Sequence, residues 1–255
     1  QPLTHLHIGA AGTKVPDEAA GLASTLSSGN DGPAAFAGAL VEGPGMIVIA
    51  GTGSAVYGEA ADGRSVLIGG WGPLAGDEGS GFAIGRDALR ALTIVLDGRG
   101  TASPLTDALA SHLNVSTRES MQARMYHPPM PREDIAALTS IVAGAAAEGD
   151  EVARSILTAA ACDLAATVAD GARLLDLHGA TARVSTLGGV WSAGPLVLQP
   201  FTEHLSQLVP GASVLPARYP PVVGALLIAY RRAGVPVSPA MLDQLSHGLN
   251  RWGLQ

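Results

Sequence analysis

The sequence predicts an α/β fold, because strand-like and helix-like segments alternate along most of the chain. An apolar run at residues 46–50 passes into a loop rich in glycine and hydroxyl groups, and a helical pattern follows at 81–96. A second strand-like segment, 182–187, passes into another glycine loop and then into a helix near Pro195. This repeated unit indicates two glycine-rich loops that face one cleft, where they could hold the two ends of a nucleotide.

The composition allows one large domain or two lobes with a sizeable core, since 47% of the 255 residues are hydrophobic and 15% are charged. The net charge of −7 and the single lysine, Lys14, argue against a nucleic-acid partner. No uninterrupted apolar run reaches the roughly 18 residues of a spanning helix. The single cysteine, Cys162, excludes an intrachain disulfide. We therefore expect a soluble cytoplasmic protein with neither a nucleic-acid nor a membrane partner.

The elements follow from periodicity and turn residues, taken in order. Residues 3–9 alternate like a strand, and we expect a helix at 17–26, a loop at 27–32 and a helix at 34–41 with Pro33 in its first turn. Strands are expected at 46–50, 55–57 and 65–68, the last two joined by the Asp62-Gly63 turn. Helical spacing then marks 81–96, 104–125 with a short interruption, a segment opened by Pro131, 150–177, and segments that begin near Pro195 and Pro220.

The loop Gly51-Thr52-Gly53-Ser54 ends a strand with free amide groups and hydroxyls, an arrangement that suits an anion such as phosphate. The P-loop, the dinucleotide fingerprint and the nucleophile elbow are all absent, and the seven histidines lack metal-ligand spacing. Asp31 and Asp77 could act in phosphoryl transfer, in which one carboxylate accepts the proton of the attacking hydroxyl. Each aspartate could instead cap a helix, so both interpretations stay open here.

Five short motifs then support a family resemblance. Asn30-Asp31 before a small-residue helix, followed by IAGTGS, GGWGPLAGDEGSG, LGGVW and VGALLIA, resembles the N-acetylglucosamine kinase and BadF/BadG/BcrA/BcrD ATPase family from about residue 5 to about residue 233. The resemblance implies the two-lobed actin/hexokinase/Hsp70-like ATPase fold, which is ribonuclease H-like. Residues 1–45 would be the remainder of an incomplete N-terminal lobe that carries the catalytic Asp, and 46–255 would be the C-terminal lobe.

The resemblance also implies an ATP-dependent kinase that phosphorylates the 6-hydroxyl of N-acetylglucosamine or glucosamine, with Asp31 as general base. The implied phosphate-binding residues are Gly51, Thr52, Gly53 and Ser54. The implied sugar-binding residues are Asn30, Gly70, Trp71 and Asp77. The implied nucleotide-binding residues are Gly188, Gly189, Gly224 and Ala225. Mg²⁺ is expected to arrive with ATP rather than in a protein cage, and a homodimer is expected.

One departure from the family pattern matters. The family's opening phosphate loop, Asp-Gly-Gly-Gly-Thr-Lys, has only a partial counterpart at residues 9–14, which lacks the Asp. We therefore expect residues 3–26 to match a later strand and helix of the family. We also expect the sequence to lack a preceding segment with the phosphate loop, and a short piece before Gly29 that carries a strand.

Two alternative functions remain. One is an activator-type ATPase that hydrolyses ATP to drive electron transfer, and the other is a sugar-binding relative that has lost catalysis. Activators of this type hold an iron–sulfur cluster between two subunits with cysteines from each, so a single cysteine within a predicted helix argues against the first. The departure at the opening phosphate loop keeps the second alternative open.

Overall fold

The computed structural model describes residues 3–9, 23–29 and 31–252. Strands β1 (Leu3–Gly9) and β2 (Ala23–Gly29) pair in parallel as a two-stranded sheet. The main sheet contains β3 (Gly45–Ala50), β4 (Ser54–Glu59), β5 (Ser65–Gly69), β6 (Arg183–Leu187) and β7 (Ser213–Leu215). Its order is β5-β4-β3-β6-β7, with β3, β6 and β7 parallel and the β3–β4–β5 meander antiparallel.

Ten α-helices lie in the described part of the chain. They are α1 (Asp31–Leu40), α2 (Gly81–Leu96), α3 (Pro104–Leu113), α4 (Arg118–Tyr126), α5 (Arg132–Ala137), α6 (Thr139–Ala147), α7 (Glu151–Leu174), α8 (Pro195–Leu208), α9 (Pro221–Arg232) and α10 (Pro239–Trp252). Asp150 joins two of them, because its carboxylate accepts the Ala153 amide of α7 and the Leu105 amide of α3, each at 2.8 Å. This single side chain thus caps one helix and fixes the start of another.

Strand β3 is apolar throughout because helices cover both faces of the sheet at this point. Ile47 packs with Phe36 and Leu40 of α1 on one face. Met46 and Val48 belong to the larger core, to which α7 contributes most of its buried side chains. The strand is therefore held between α1 and α7, which fixes the point at which the following loop begins.

Helix α7 is the one helix in the described ranges that is long and apolar enough to cross a bilayer by length and composition alone. It packs against α6, α8 and the β3–β4–β5 part of the sheet. One face of this helix, which includes Leu157, Leu164 and Val168, is buried in the protein core.

Helix α9 packs closely against α1 and also contacts β1. A Cβ added at Gly224 of α9 would overlap the Ala34 carbonyl oxygen and the Gly38 amide nitrogen of α1. A Cβ at Gly38 would in turn lie 2.7 Å from the Pro220 carbonyl oxygen. Two glycines thus allow the backbones of α1 and α9 to approach each other directly.

The structure confirms the α/β class and most of the predicted elements, including the helix at 81–96 to the residue. Two predictions near the N-terminus are wrong. The end of the expected helix at 17–26 and most of the expected loop at 27–32 form β2 and the start of α1. Small residues with Ser and Thr hide the strand pattern there, and pairing with β1 decides the conformation. The strand expected to be missing before Gly29 is therefore present. The division into lobes at residue 45 stays a prediction.

Candidate active site

The two glycine loops meet because β3 and β6 are adjacent parallel strands whose carboxyl ends lie at the same edge of the sheet. Gly188 follows β6 with φ of +105°, a conformation that side chains other than glycine rarely adopt. A Cβ added there would lie 3.0 Å from the Gly51 amide nitrogen and would overlap the Ala50 carbonyl. Glycine at position 188 therefore lets the second loop rest directly on the first.

The first loop, residues 51–53, is held by the start of α2. The Gly81 amide donates to the Gly51 carbonyl at 2.8 Å, and the Phe82 amide donates to the Thr52 carbonyl at 3.2 Å. The Thr52 hydroxyl, by contrast, forms no hydrogen bond with any described residue. The loop backbone is thus fixed, and one hydroxyl remains available to a ligand.

A cavity of about 650 Å³ lies on one side of this loop. Backbone and small side chains from both glycine loops, α5 and α6 form its wall, which includes Gly51, Thr52, Glu133, Ala136, Thr139, Gly189 and Ser192. Neither a group of three metal-ligating side chains nor a lysine occurs in the described ranges. Apart from the Glu133 carboxylate, the wall offers amides and hydroxyls, which suit an anion.

A second cavity, of about 440 Å³, lies on the other side of the same loop. Its lining includes Asp31, Gly53, Ser54, Gly70, Asp77 and Arg132, and its apolar side includes Ile49, Ala55 and Leu67. The first turn of α1 places Asp31 there, and the hydrogen bond from the Gly70 amide to the Ser54 carbonyl places Gly70. The structure thus brings the two predicted carboxylates and the end of the glycine loop to one cavity.

Asp77 is fixed from several sides. It adopts φ of +64°, which aspartate tolerates better than most residues, and its side chain is only 2% exposed. One carboxylate oxygen accepts the Ser54 amide at 3.2 Å, and the other forms an ion pair with Arg132. The Ser54 hydroxyl donates to the Glu78 carbonyl at 2.7 Å, so it joins the end of the first glycine loop to the segment that carries Asp77. Contacts within the protein therefore orient Asp77.

Arg132 is the one charged residue in the described lining of this cavity that the sequence did not indicate. It is the first residue of α5 and lies 55 positions from its partner Asp77 in sequence, so no local pattern connects the two. A Cβ at Gly53 would lie 2.7 Å from Asp77 Oδ1 and would overlap the guanidinium of Arg132. Glycine at position 53 therefore provides room for this ion pair, although its φ is not positive.

Tyr57 also lines the smaller cavity. Its hydroxyl donates to Glu59 Oε1 at 2.8 Å, and its ring meets Phe36 edge to face at 5.8 Å. Burial, reinforced by the hydrogen bond to Glu59 and its charge, raises the pKa of Tyr57 well above its usual range. The phenol therefore stays neutral at all physiological pH values.

The remaining predicted site residues are placed differently. Trp71 is 80% exposed, and it is not among the residues that line the smaller cavity. Gly224 is buried against α1, the adjacent Ala225 is half-buried, and neither lines the two cavities described above. Asn30 and most of the partial phosphate loop at 9–14 lie outside the described residues. Their ligand roles stay predictions.

Two sugar kinases of known name are similar to this chain in sequence. An N-acetylmuramic acid/N-acetylglucosamine kinase from Clostridium acetobutylicum is 33% identical over 200 residues, which cover 78% of this chain and 65% of that protein. An N-acetyl-D-glucosamine kinase from Dictyostelium discoideum is 31% identical over 188 residues, or 72% of this chain and 59% of that protein. The chain thus spans somewhat less than two thirds of the length of each of these relatives.

A solved structure is similar to this chain in fold. The crystal structure of a candidate N-acetylglucosamine kinase from Chromobacterium violaceum superposes with a TM-score of 0.71 at 28% identity. The match covers 90% of this chain and 77% of that chain. The fold is therefore that of sugar kinases in the actin/hexokinase-like ATPase superfamily.

The family model matches residues 3–229, which is most of the chain. The match includes both glycine loops, both aspartates and Arg132. The chain therefore belongs to the BadF/BadG/BcrA/BcrD ATPase family.

Proposed function

We propose that this protein is an ATP-dependent amino-sugar kinase that phosphorylates the 6-hydroxyl of N-acetylglucosamine or glucosamine. The observation that carries the proposal is the shared cavity of Asp31, Gly53 and Asp77, separated by one glycine loop from a second, larger cavity. A kinase needs this arrangement, because acceptor and phosphoryl donor must meet at one point while the rest of each molecule binds separately. The names of the two relatives support the sugar class.

In this proposal the larger cavity takes the phosphates of ATP. The amides of residues 51–53, the Thr52 hydroxyl and the Gly188-Gly189 loop would hold them, and Mg²⁺ bound to the phosphates would neutralise their charge. The smaller cavity takes the sugar, and Asp77 accepts hydrogen bonds from its hydroxyls. Gly224 and Ala225 of α9 would contact the adenine, and Asn30, Gly70 and Trp71 would contact the sugar.

Asp31 would act as the general base. Its carboxylate accepts the proton of the sugar hydroxyl, the hydroxyl oxygen forms a bond to the γ-phosphorus, and the bond from that phosphorus to ADP breaks. The carboxylate lies in the first turn of α1, at the cavity that Asp77 also lines. The products are the sugar phosphate and ADP.

The test is ADP release measured with N-acetylglucosamine, glucosamine, N-acetylmannosamine and glucose. We expect sugar-dependent turnover, and we expect Asp31→Asn to lower kcat by about 10²–10⁴ with a modest change in KM for the sugar. Asp107→Asn is the matched control, because Asp107 is exposed on α3 and lines neither cavity. ATP hydrolysis that needs no sugar would favour the activator alternative, and normal turnover by Asp31→Asn would exclude Asp31 as the base.

A further inference from the structure

Arg132 places a positive charge in the cavity proposed for the sugar. It is the one cationic side chain among the described residues that line this cavity, where Asp31 and Asp77 supply two negative charges. Its ion pair with Asp77 neutralises one of these charges. An anionic acceptor would therefore meet much less repulsion here than it would in the same cavity with two unpaired carboxylates.

The guanidinium still has hydrogen-bonding capacity. It has five N–H donors, and a full pairing with one carboxylate would normally be bidentate. Here its one side-chain contact is from Nη2 to Asp77, and Nε is buried without a partner in the described part of the chain. The side chain lines the cavity and is 35% exposed as a whole, so it is not fully enclosed by protein.

Resting on the proposed function, we propose that Arg132 determines acceptor specificity by binding a carboxylate substituent of the sugar. The acceptor class is an acidic amino sugar whose ring carries a carboxylate ether, as in N-acetylmuramic acid. Because Arg132 contacts Asp77, a substituent next to the hydroxyls that Asp77 binds would lie within reach of the guanidinium. Planar two-donor recognition is the mode in which arginine binds carboxylates best.

A purely structural Arg132 would give a different result. If it only oriented Asp77, its replacement would weaken the binding of every acceptor to a similar degree, because every acceptor uses Asp77. If it also binds a carboxylate, its replacement would weaken the binding of the acidic acceptor more than that of the neutral one. The ratio of kcat/KM for the two acceptors therefore distinguishes a specificity role from a positioning role.

The experiment compares the wild type with Arg132→Gln, which keeps a hydrogen-bond donor for Asp77 and removes the charge, and with Arg132→Lys, which restores the charge. Arg173→Met is the control, because Arg173 is exposed on α7 and lines neither cavity. The measurements are kcat/KM and the calorimetric Kd for N-acetylmuramic acid and for N-acetylglucosamine, with thermal unfolding to verify the fold.

We expect Arg132→Gln to lower kcat/KM and binding for N-acetylmuramic acid at least about 10-fold more than for N-acetylglucosamine. Arg132→Lys should recover part of this difference, and the control should match the wild type. Equal losses for the two sugars would overturn the proposal, as would a wild type that phosphorylates N-acetylglucosamine but does not bind the acid. If the wild type phosphorylates no sugar, the proposed function fails, and an unchanged Kd for the acid in Arg132→Gln would refute the role of Arg132 as well.

Discussion

Replacing Gly224 by alanine tests how closely α9 must approach α1. The added methyl group would overlap the Ala34 carbonyl oxygen and the Gly38 amide nitrogen. Both are backbone atoms of a packed helix, so neither can rotate away as the end of a long side chain would. The two helices must therefore separate, and the contact between them must loosen.

The expected magnitude follows from two opposing effects. Overpacking of this kind costs about 1–3 kcal/mol, and a severe overlap with backbone lies at the upper end of that range. Alanine also gains up to about 1 kcal/mol over glycine inside a helix. We expect a net loss of about 2 kcal/mol in the free energy of unfolding, which lowers Tm by about 4–8 °C in a chain of this size.

The assay is thermal unfolding of Gly224→Ala beside Gly144→Ala. Gly144 lies in α6 with open space around its missing Cβ, so the same substitution there should stabilise by about 0.5–1 kcal/mol. Gly224→Ala should also lower kcat, about 10-fold or more, because α1 carries Asp31 in its first turn. A Tm that rises in both variants would mean that the helices are not in direct backbone contact.

Two other substitutions test single contacts. Asp150→Ala should destabilise by about 2–3 kcal/mol at neutral pH, since it leaves two buried amides without acceptors. Burial alone would raise the pKa of Asp150, but hydrogen bonds from these amides outweigh burial and hold the pKa below its usual value. The ionised carboxylate therefore stabilises the fold at neutral pH, and this stabilisation is lost as the pH falls through the lowered pKa. Urea unfolding at neutral and at acidic pH should show the gap between variant and wild type shrinking in acid, and a constant gap would contradict the role of the charge. Gly53→Ala should displace the Arg132–Asp77 pair and raise KM for the sugar about 10-fold or more in steady-state assays, whereas an unchanged KM would show that the pair is not needed for binding.

The meeting of the two glycine loops could be predicted because it depends on local signals. Each loop follows a strand-like run, and neighbouring parallel strands end at the same edge. The fold class and most helices were predictable for the same reason, since apolar spacing is visible within a few turns. The placement of Asp31 beside Asp77 came from the family resemblance rather than from periodicity.

The features that escaped prediction depend on distant contacts. Strand β2 has no apolar alternation and forms by pairing with β1, and β7 is only three residues long. In the sequence, Arg132 is a charged residue at the start of a short helix with no motif around it. Only the fold brings it to Asp77. Gly224 matched a ligand motif, yet the structure also explains it by the contact of α9 with α1.

The attachment of residues 51–53 to the first turn of α2 has a consequence for the energetics of ligand capture. Many anion-binding loops become ordered only when their ligand arrives, and part of the binding energy is then spent on lost chain entropy. Here the two hydrogen bonds from Gly81 and Phe82 restrict the loop through contacts within the chain itself. Nucleotide association should therefore leave the amide exchange rates of Gly81 and Phe82 almost unchanged, because these amides are already protected before the nucleotide is added.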